Sequence, residues 1–484
     1  MKSYITEYLE LPETIHLPED TEVTADLVKK LLDKHQSNIK RYQILQEYYE
    51  GKAKILERRK RETKSNNKLV LDYPSYIVDM LLGLFVGKPV NYMTSEENES
   101  IMQALQDVFD LNDEQDENTE IAKMAGIKGR AYEIIYLDEE ANVRFNEIEP
   151  ENVIYIYDDK IKPAPLMALY VRDINTLDNL DSTSKDRAVT VYTRNKIFEF
   201  EEIAGNLTLI DEDVNMFGEV NVIEILNNDE GIGDFERVLS LIDAMNLLQS
   251  DTANDFEEFT DAMLVLYGML GADAEDIKQM QQDRVLLMDN SNGSKQSAEW
   301  LIKNINDNAL ENYKTRLDKD IHKFAKVPNM ADEHFASNVS GESMKYKLFA
   351  TDQIISQKQR KFKTALQERI KLIFNVMNIK KSSDFDYRDI AISFNDNKPF
   401  NELDNANMVK TLMDFTSKQF ALSKLRDIDD VAEEIKRQEE EQDAYADLFL
   451  REVGADDEED VQADSKRIRD TSEKETTRNN QELR

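Results

Sequence analysis

The chain has no cysteine among its 484 residues. That absence excludes disulfides, zinc–thiolate sites and thiol nucleophiles. Histidine is nearly as scarce: His16, His35, His322 and His334 are the full set, no two of them share metal-ligand spacing, and packing or surface roles account for them. No apolar run is long enough to span a membrane, and the N-terminus shows no secretory signal. The sequence therefore predicts a soluble, intracellular or virion-borne protein, and the glycosylation triplets opening at Asn98, Asn206 and Asn338 carry no weight. Positive charge is also short, with 61 Lys and Arg against 98 Asp and Glu, a formal net charge of −37. Tight binding of nucleic acid needs phosphates neutralised by Lys and Arg, so this balance argues against a firm grip.

The motifs of nucleotide and metal chemistry fail one by one. Gly83-Leu-Phe-Val-Gly87-Lys88-Pro89 has three residues between its glycines where a phosphate loop needs four, and Pro where the Mg²⁺-binding hydroxyl belongs. Gly231-Ile-Gly233 lacks a third glycine and opens no dinucleotide fold. Asp211-Glu-Asp213-Val-Asn215 alternates oxygen ligands, but Gly218 comes too late for a calcium hand. No catalytic group, cofactor site or metal site is expected.

What is present is strong punctuation. In Asn67–Met93, NKLVLDYPSYIVDMLLGLFVGKPVNYM, Asp72 is placed to cap a helix and Pro74 sits in its first turn, where a missing N–H costs little. Tyr73, Ile77, Leu81, Leu84 and Phe85 form one helical face. Gly87 stops the helix and Pro89 turns the chain into an extended run. This wording resembles the corresponding segment of tailed-phage portal proteins, siphophage type. Glu147-Ile-Glu-Pro-Glu-Asn-Val-Ile154 and the acidic stretch Leu422–Glu441 resemble further segments of that family.

Elsewhere the pattern predicts a helix over 24–64, helices over 100–109 and 120–128, and a polar break at 110–118. Strands follow at 131–137, 143–148, 153–157, 166–171, 188–193 and 197–202, forming one antiparallel sheet with a tight turn at Arg194-Asn195. Asp234 is placed to cap a helix running to Phe259. Its apolar face carries Phe235, Val238, Ile242, Met245 and Leu248, and its opposite stripe carries Asp243, Asn246, Ser250, Asn254 and Asp255. Such a stripe is normally a solvated face. A strand–helix–strand insert at 263–288, a third strand holding Trp300, a helix over 308–324, an irregular loop 326–341 and a helix of ~50 Å from Met344 complete the middle of the chain. The long helix is expected to show a basic solvent side: Lys345, Lys347, Lys358, Arg360, Lys361, Lys363 and Lys371. A strand over 389–394 and helices over 401–449 come next, and 455–484 lacks the apolar surface to order itself. Eight basic residues crowd Lys52–Lys68, and fifteen acidic ones face three basic ones in Asp430–Asp464.

The resemblance implies an α+β portal fold. Its parts would be N-terminal helices with an antiparallel-sheet wing (1–230), a first stem helix (231–260), a small α/β clip (261–305), a second stem helix (306–325), a tunnel loop (326–343), a long helix and wing strand (344–400), a helical crown (401–453) and a polar tail (454–484). It also implies a closed ring, typically of twelve copies, at one capsid vertex, assembled in the host cytoplasm. Double-stranded DNA would pass through it, and the terminase large subunit, a head-completion adaptor, and the major capsid and scaffold proteins would bind it. On this reading Asp243, Asn246, Ser250, Asn254 and Asp255 line the bore. Pro328, Asn329, His334, Asn338, Lys345 and Lys347 meet DNA, and Asp273, Asp276, Lys278, Arg284 and Trp300 form the clip's docking surface. An acidic scaffold or minor head protein, and a prophage nucleic-acid-processing enzyme, stay open as other classes.

Overall fold

The computed structural model describes residues 9–59, 65–94, 99–174, 186–259, 263–267, 285–288, 298–301, 307–330, 341–381, 383–395, 402–413, 415–422 and 437. The chain divides into two compact units, Met1–Lys398 and Pro399–Arg484. It is a mixed helix-and-sheet, α+β protein.

In the first unit, strand β1 (Ile15–Leu17) precedes helix α1 (Ala25–Tyr49). Thr24 caps α1, its Oγ accepting from Leu27 N at 3.3 Å. The helix ends well short of residue 64. Gly51, at φ 75°, supplies the left-handed residue of a Schellman closure, with Gly51 N–H bonded to Tyr48 O and Lys52 N–H to Glu47 O. Helix α2 (Tyr73–Val86) has Pro in its first turn, but Asp72 makes no capping bond. Strand β2 (Val90–Met93), helix α3 (Glu99–Leu111) and helix α4 (Glu114–Lys128) follow, so the expected polar break is a sharp corner centred on Asp113, at φ 49°.

Strands β3 (Arg130–Leu137), β4 (Val143–Ile148), β5 (Val153–Asp158), β6 (Pro165–Asp173), β7 (Arg187–Thr193), β8 (Lys196–Ile203), β9 (Asn206–Val214) and β10 (Val222–Leu226) form two sheets rather than one. The larger runs β1-β5-β6-β7-β8-β9, and the smaller runs β10-β3-β4. Arg194-Asn195 does join two adjacent antiparallel strands. The break in the expected single sheet falls at the Pro150–Asn152 turn, where the chain leaves β4 and enters the other layer as β5. Both β9 and β10 were unread from the sequence: β9 ends in Asp-Glu-Asp-Val, which imitates a ligand loop, and β10 is five residues long.

Helix α5 (Leu239–Phe259) begins after a 3₁₀ turn, Glu236–Val238. Strands β11 (Met263–Tyr267), β12 (Val285–Met288) and β13 (Ala298–Leu301) form a small mixed sheet in the order β12-β11-β13. Helix α6 (Asp307–Ala325), the long helix α7 (Gly341–Lys381) and strand β14 (Ala391–Phe394), paired with β2, complete this unit. The second unit contains α8 (Glu402–Met413) and α9 (Lys418–Leu422). The acidic stretch Leu422–Glu441, beyond its first residue and Arg437, lies outside the described residues, as do the expected clip helix and the tail 454–484.

One core cluster joins α2, α4, β3, α5, α6 and α7, with Ile77, Leu81, Ile121, Ile135, Ile242, Ile321 and Ile373 among its buried members. A second packs Val28, Leu31 and Leu32 of α1 onto the larger sheet through Ile156, Leu169 and Val191. A third, around Tyr132, Val153 and Ala168, lies between the two sheets. Full burial of an aliphatic side chain contributes about 1.5–3 kcal/mol, so these clusters carry most of the stability.

Candidate functional site

The helix pair α5–α6 brackets the β11–β13 sheet in the chain. Leu317, Ile321 and Ala325 of α6 are buried in the cluster that also takes Ile242 and Met245 of α5.

The polar stripe of α5 is not a solvated face. Asp243, Asn246, Ser250 and Asn254 are all buried, and Asp255 is half-buried. The extended segment before α2 lies across them. Leu71 N–H donates to Asn246 Oδ1 at 2.8 Å, Leu69 N–H to Ser250 Oγ at 2.9 Å and Asn67 N–H to Asn254 Oδ1 at 2.7 Å. Alternate N–H groups of an extended chain recur about every 6.7 Å, and residues four apart on a helix about every 6.0 Å, so the two repeats mesh in antiparallel sense. Tyr48 O–H donates to Asp243 Oδ1 at 2.7 Å. The expectation that Asp243, Asn246, Ser250 and Asn254 form an exposed lining is therefore corrected. The short amide and hydroxyl side chains of Asn246, Ser250 and Asn254 are a hydrogen-bonding ladder for this chain's own backbone, and Asp243 accepts from the Tyr48 hydroxyl. Composition was the available signal: a solvated stripe carries Lys and Glu, whereas this one carries only short side chains, Asn, Ser and Asp.

The far end of α6 is held by α2. Tyr73 O–H donates to Asp318 Oδ1 at 2.8 Å and Tyr76 O–H to Pro328 O at 2.8 Å, and both rings meet His322 edge-on, 5.9 and 5.8 Å away. Burial, then Asp318, pushes the Tyr73 phenol up. Asn329 Nδ2 donates to Asp318 Oδ2 at 3.0 Å, and Thr351 Oγ1 to Lys326 O at 2.8 Å. Pro328 and Asn329 are thus anchored to the helices. His334 and Asn338 lie outside the described residues, and Lys345 and Lys347 sit in the first turns of α7. Asp273, Asp276, Lys278 and Arg284 also lie outside them; Trp300 pairs with Leu264 across β13 and β11.

Buried ion pairs fix the lead-in to α5. Lys358 Nζ reaches Asp234 Oδ2 at 2.6 Å, both side chains being buried. Arg41 grips Glu236 through Nε at 2.9 Å and Nη2 at 2.5 Å, and donates to the carbonyls of Lys128 and Gly231. Asp234 therefore binds a lysine rather than capping α5, and Lys358 belongs to the interior rather than to the basic solvent side. Glycine is required where this loop crosses α4. A Cβ on Gly129, at φ 89°, would stand 2.1 Å from Gly231 O, and one on Gly233 2.4 Å from Ile127 O.

Arg369 was not singled out by its sequence context. It is buried, bonded to Glu133 at 2.9 and 2.6 Å and to Asn118 Oδ1 at 2.7 Å, and lies 4.5 Å from the Phe145 ring centroid. Burial pushes the neighbouring Glu114 carboxyl up, against the pull of Arg369. Among the described residues no group of three or more His, Asp or Glu could hold a metal ion, and no helix is long and apolar enough to cross a membrane. This arrangement clamps helices to one another, and its charged groups are occupied in doing so.

The sequence has counterparts among known proteins. Residues 28–447 match the family described as "Phage portal protein, SPP1 Gp6-like". The chain is similar to the portal protein of Bacillus phage SPP1, with 21% identity over 472 residues covering 91% of each chain. With the match running from α1 past α9, the chain belongs to the SPP1 Gp6-like family of phage portal proteins.

Proposed function

We propose that this phage portal protein, a structural component of the virion capsid, closes into a ring of twelve copies at one capsid vertex. The ring is the channel through which the double-stranded genome is packaged and later leaves. The terminase large subunit docks on it during packaging and a head-completion adaptor afterwards, while major capsid and scaffold proteins hold its rim. The family match over residues 28–447 carries this reading.

The parts divide along the chain as follows. Residues 1–230 are the wing, α5 and α6 the stem, the sheet β11–β13 the centre of the clip, 326–343 the tunnel loop, α7 and β14 the return to the wing, and 401–453 the crown. The α5–α6 pair supports the stem assignment, since two packed helices flanking a small sheet make a rigid post with a distinct tip. The clip tip, around Asp273, Asp276, Lys278, Arg284 and Trp300, is the docking surface. The work is mechanical, and the chain itself makes or breaks no bond. Negative-stain microscopy of the purified protein tests the ring: annular particles with a central hole are expected. A clean monomer by light scattering across a broad range of salt and protein concentration would overturn it.

A further inference from the structure

The larger sheet leaves aliphatic side chains bare in two separate places. The first is the turn between β5 and β6, residues 159–164, which is held stiffly. Asp158 Oδ1 accepts from Ala164 N–H at 2.9 Å and from Lys160 N–H at 3.4 Å, and Asp158 N–H donates to Ala164 O at 2.9 Å. Pro163 and Pro165 fix φ on the return limb, and Lys160 is tied back to Glu19 at 2.7 Å. At the tip Ile161 stands clear of the fold, 106% exposed. Lys162 beside it is exposed and, among the described residues, makes no ion pair. A scattered exposed apolar side chain is ordinary, but one held on a rigid turn has little freedom left to lose on docking. The second place is β9, where the order of the sheet ends. The register shifts opposite Glu199 and Phe200 and leaves Ile210 without a paired residue, a bulge that turns its side chain outward. Ile210 is 55% and Leu209 50% exposed. Asp211 and Asp213 follow, both exposed and without an ion pair among the described residues. Edge strands are commonly blunted with lysine; this one carries carboxylates.

We propose that the turn 159–164 of one copy docks on the β9 edge of the next copy, with Ile161 against Leu209 and Ile210 and Lys162 against Asp211 and Asp213. The proposal rests on the ring reading above and names a surface through which neighbours recognise each other. Charge complementarity selects a second copy as the occupant, since an aliphatic tip beside a cation matches an aliphatic edge beside two carboxylates. An apolar centre with charges at its rim is also the usual anatomy of a protein interface. The two partners stay apart within one chain, because β7 and β8 stand between β6 and β9. At about 4.8 Å between strands, the β9 edge lies about 14 Å from β6. Two different surfaces meeting in this way make a heterologous contact, which repeats in one direction and closes when the rotation allows. Lysine and aspartate at the rim, screened by salt, add little affinity and instead fix which edge the tip selects.

The absence of cysteine makes the test clean. The full-length chain is made with Ile161→Cys and Ile210→Cys together, and with each alone, and treated with a short bis-maleimide. The double variant should give a ladder of covalently joined chains in a denaturing gel, and each single variant should run as a monomer. Rings seen by microscopy whose double variant gives no ladder overturn the contact while leaving the ring standing. Dimers from Ile161→Cys alone overturn it as well, since tip would then meet tip. As a second arm, Ile161→Asp sets a carboxylate against Asp211 and Asp213. At fixed salt and protein concentration it should lower the fraction of protein in rings about tenfold by light scattering, the scale of one lost aliphatic anchor. Ring formation at the wild-type level by Ile161→Asp overturns the proposal. Lys162→Glu should weaken the ring, and adding Asp211→Lys with Asp213→Lys should restore it. Failure of that exchange to restore rings overturns the pairing of tip and edge. A wild-type chain that stays monomeric overturns the ring reading and this contact with it.

Discussion

Ser250 holds the middle rung of the ladder between α5 and the segment before α2, accepting from Leu69 N–H while bonded to Asn246 O at 2.7 Å. Ser250→Ala removes the acceptor and little else. The net loss is about 1 kcal/mol, so hydrogen exchange at residues 67–71 should speed up roughly fivefold, with exchange in β3–β4 unchanged. Glu147 offers a second residue-scale test. It lies opposite Glu133 across β4 and β3, with Oε2 buried and without a hydrogen-bond partner. Burial, then Glu117 and Glu120, pushes its carboxyl up to about 7 from 4.5. A folded-state value above the unfolded one means the native fold holds the proton more tightly. That stabilising contribution is complete below pH 4.5 and is lost as pH rises through 7. Glu147→Gln, which fixes the neutral form, should leave the unfolding midpoint unchanged at pH 4.5 and raise it progressively toward pH 8. A gain that does not depend on pH would show that the side chain's charge is irrelevant.

At the scale of elements, α7 is fixed at two buried points, Lys358 on Asp234 and Arg369 on Glu133. Removing one partner of a buried pair leaves the other charge without compensation. Arg369→Met should therefore cost about 3–5 kcal/mol in protomer stability by chemical unfolding. Adding Glu133→Gln and Glu114→Gln should recover a large part of the loss. Much of the element order was legible in the sequence because helical and alternating periods are local: β4 lies where alternation placed it, and α2 stops at its Gly87-Lys-Pro89 signal. The ends and partners were less legible. The 24–64 helix was overdrawn because charged residues after Gly51 keep good helix propensity, while the closure at Gly51 depends on backbone geometry. The site was less legible still. The α5 stripe has the period of a solvated face, and only the segment crossing it, nearly two hundred residues away in sequence, shows that it is interior. Arg369 likewise sits among lysines and glutamates that read as a surface, and its burial depends on α4 and β3.

At the scale of the whole molecule, the dominant quantity is a formal charge of −37 on every copy. Inside the protomer the cations that matter most are already committed, Arg41 to Glu236, Lys358 to Asp234 and Arg369 to Glu133. These pairs cancel charge for charge, so the excess negative charge lies on the rest of each copy. Identical chains brought together in a closed ring repel, and the repulsion is set by ionic strength. The screening length is about 30 Å at 0.01 M salt and about 10 Å at 0.1 M. Apolar contacts between neighbours must outweigh this, and exposed side chains such as Tyr346, Phe349, Phe256 and Met216 are available for them. Salt should therefore favour the ring. By light scattering, the fraction of protein in large particles is expected to rise between 0.01 and 0.2 M NaCl at fixed protein concentration. Sulfate should raise it further, since it strengthens apolar burial as well as screening charge. If ion pairs between neighbours held the ring instead, the same titration would dissociate it. The direction of the change thus reports whether the copies are joined mainly by apolar surface or by opposite charges.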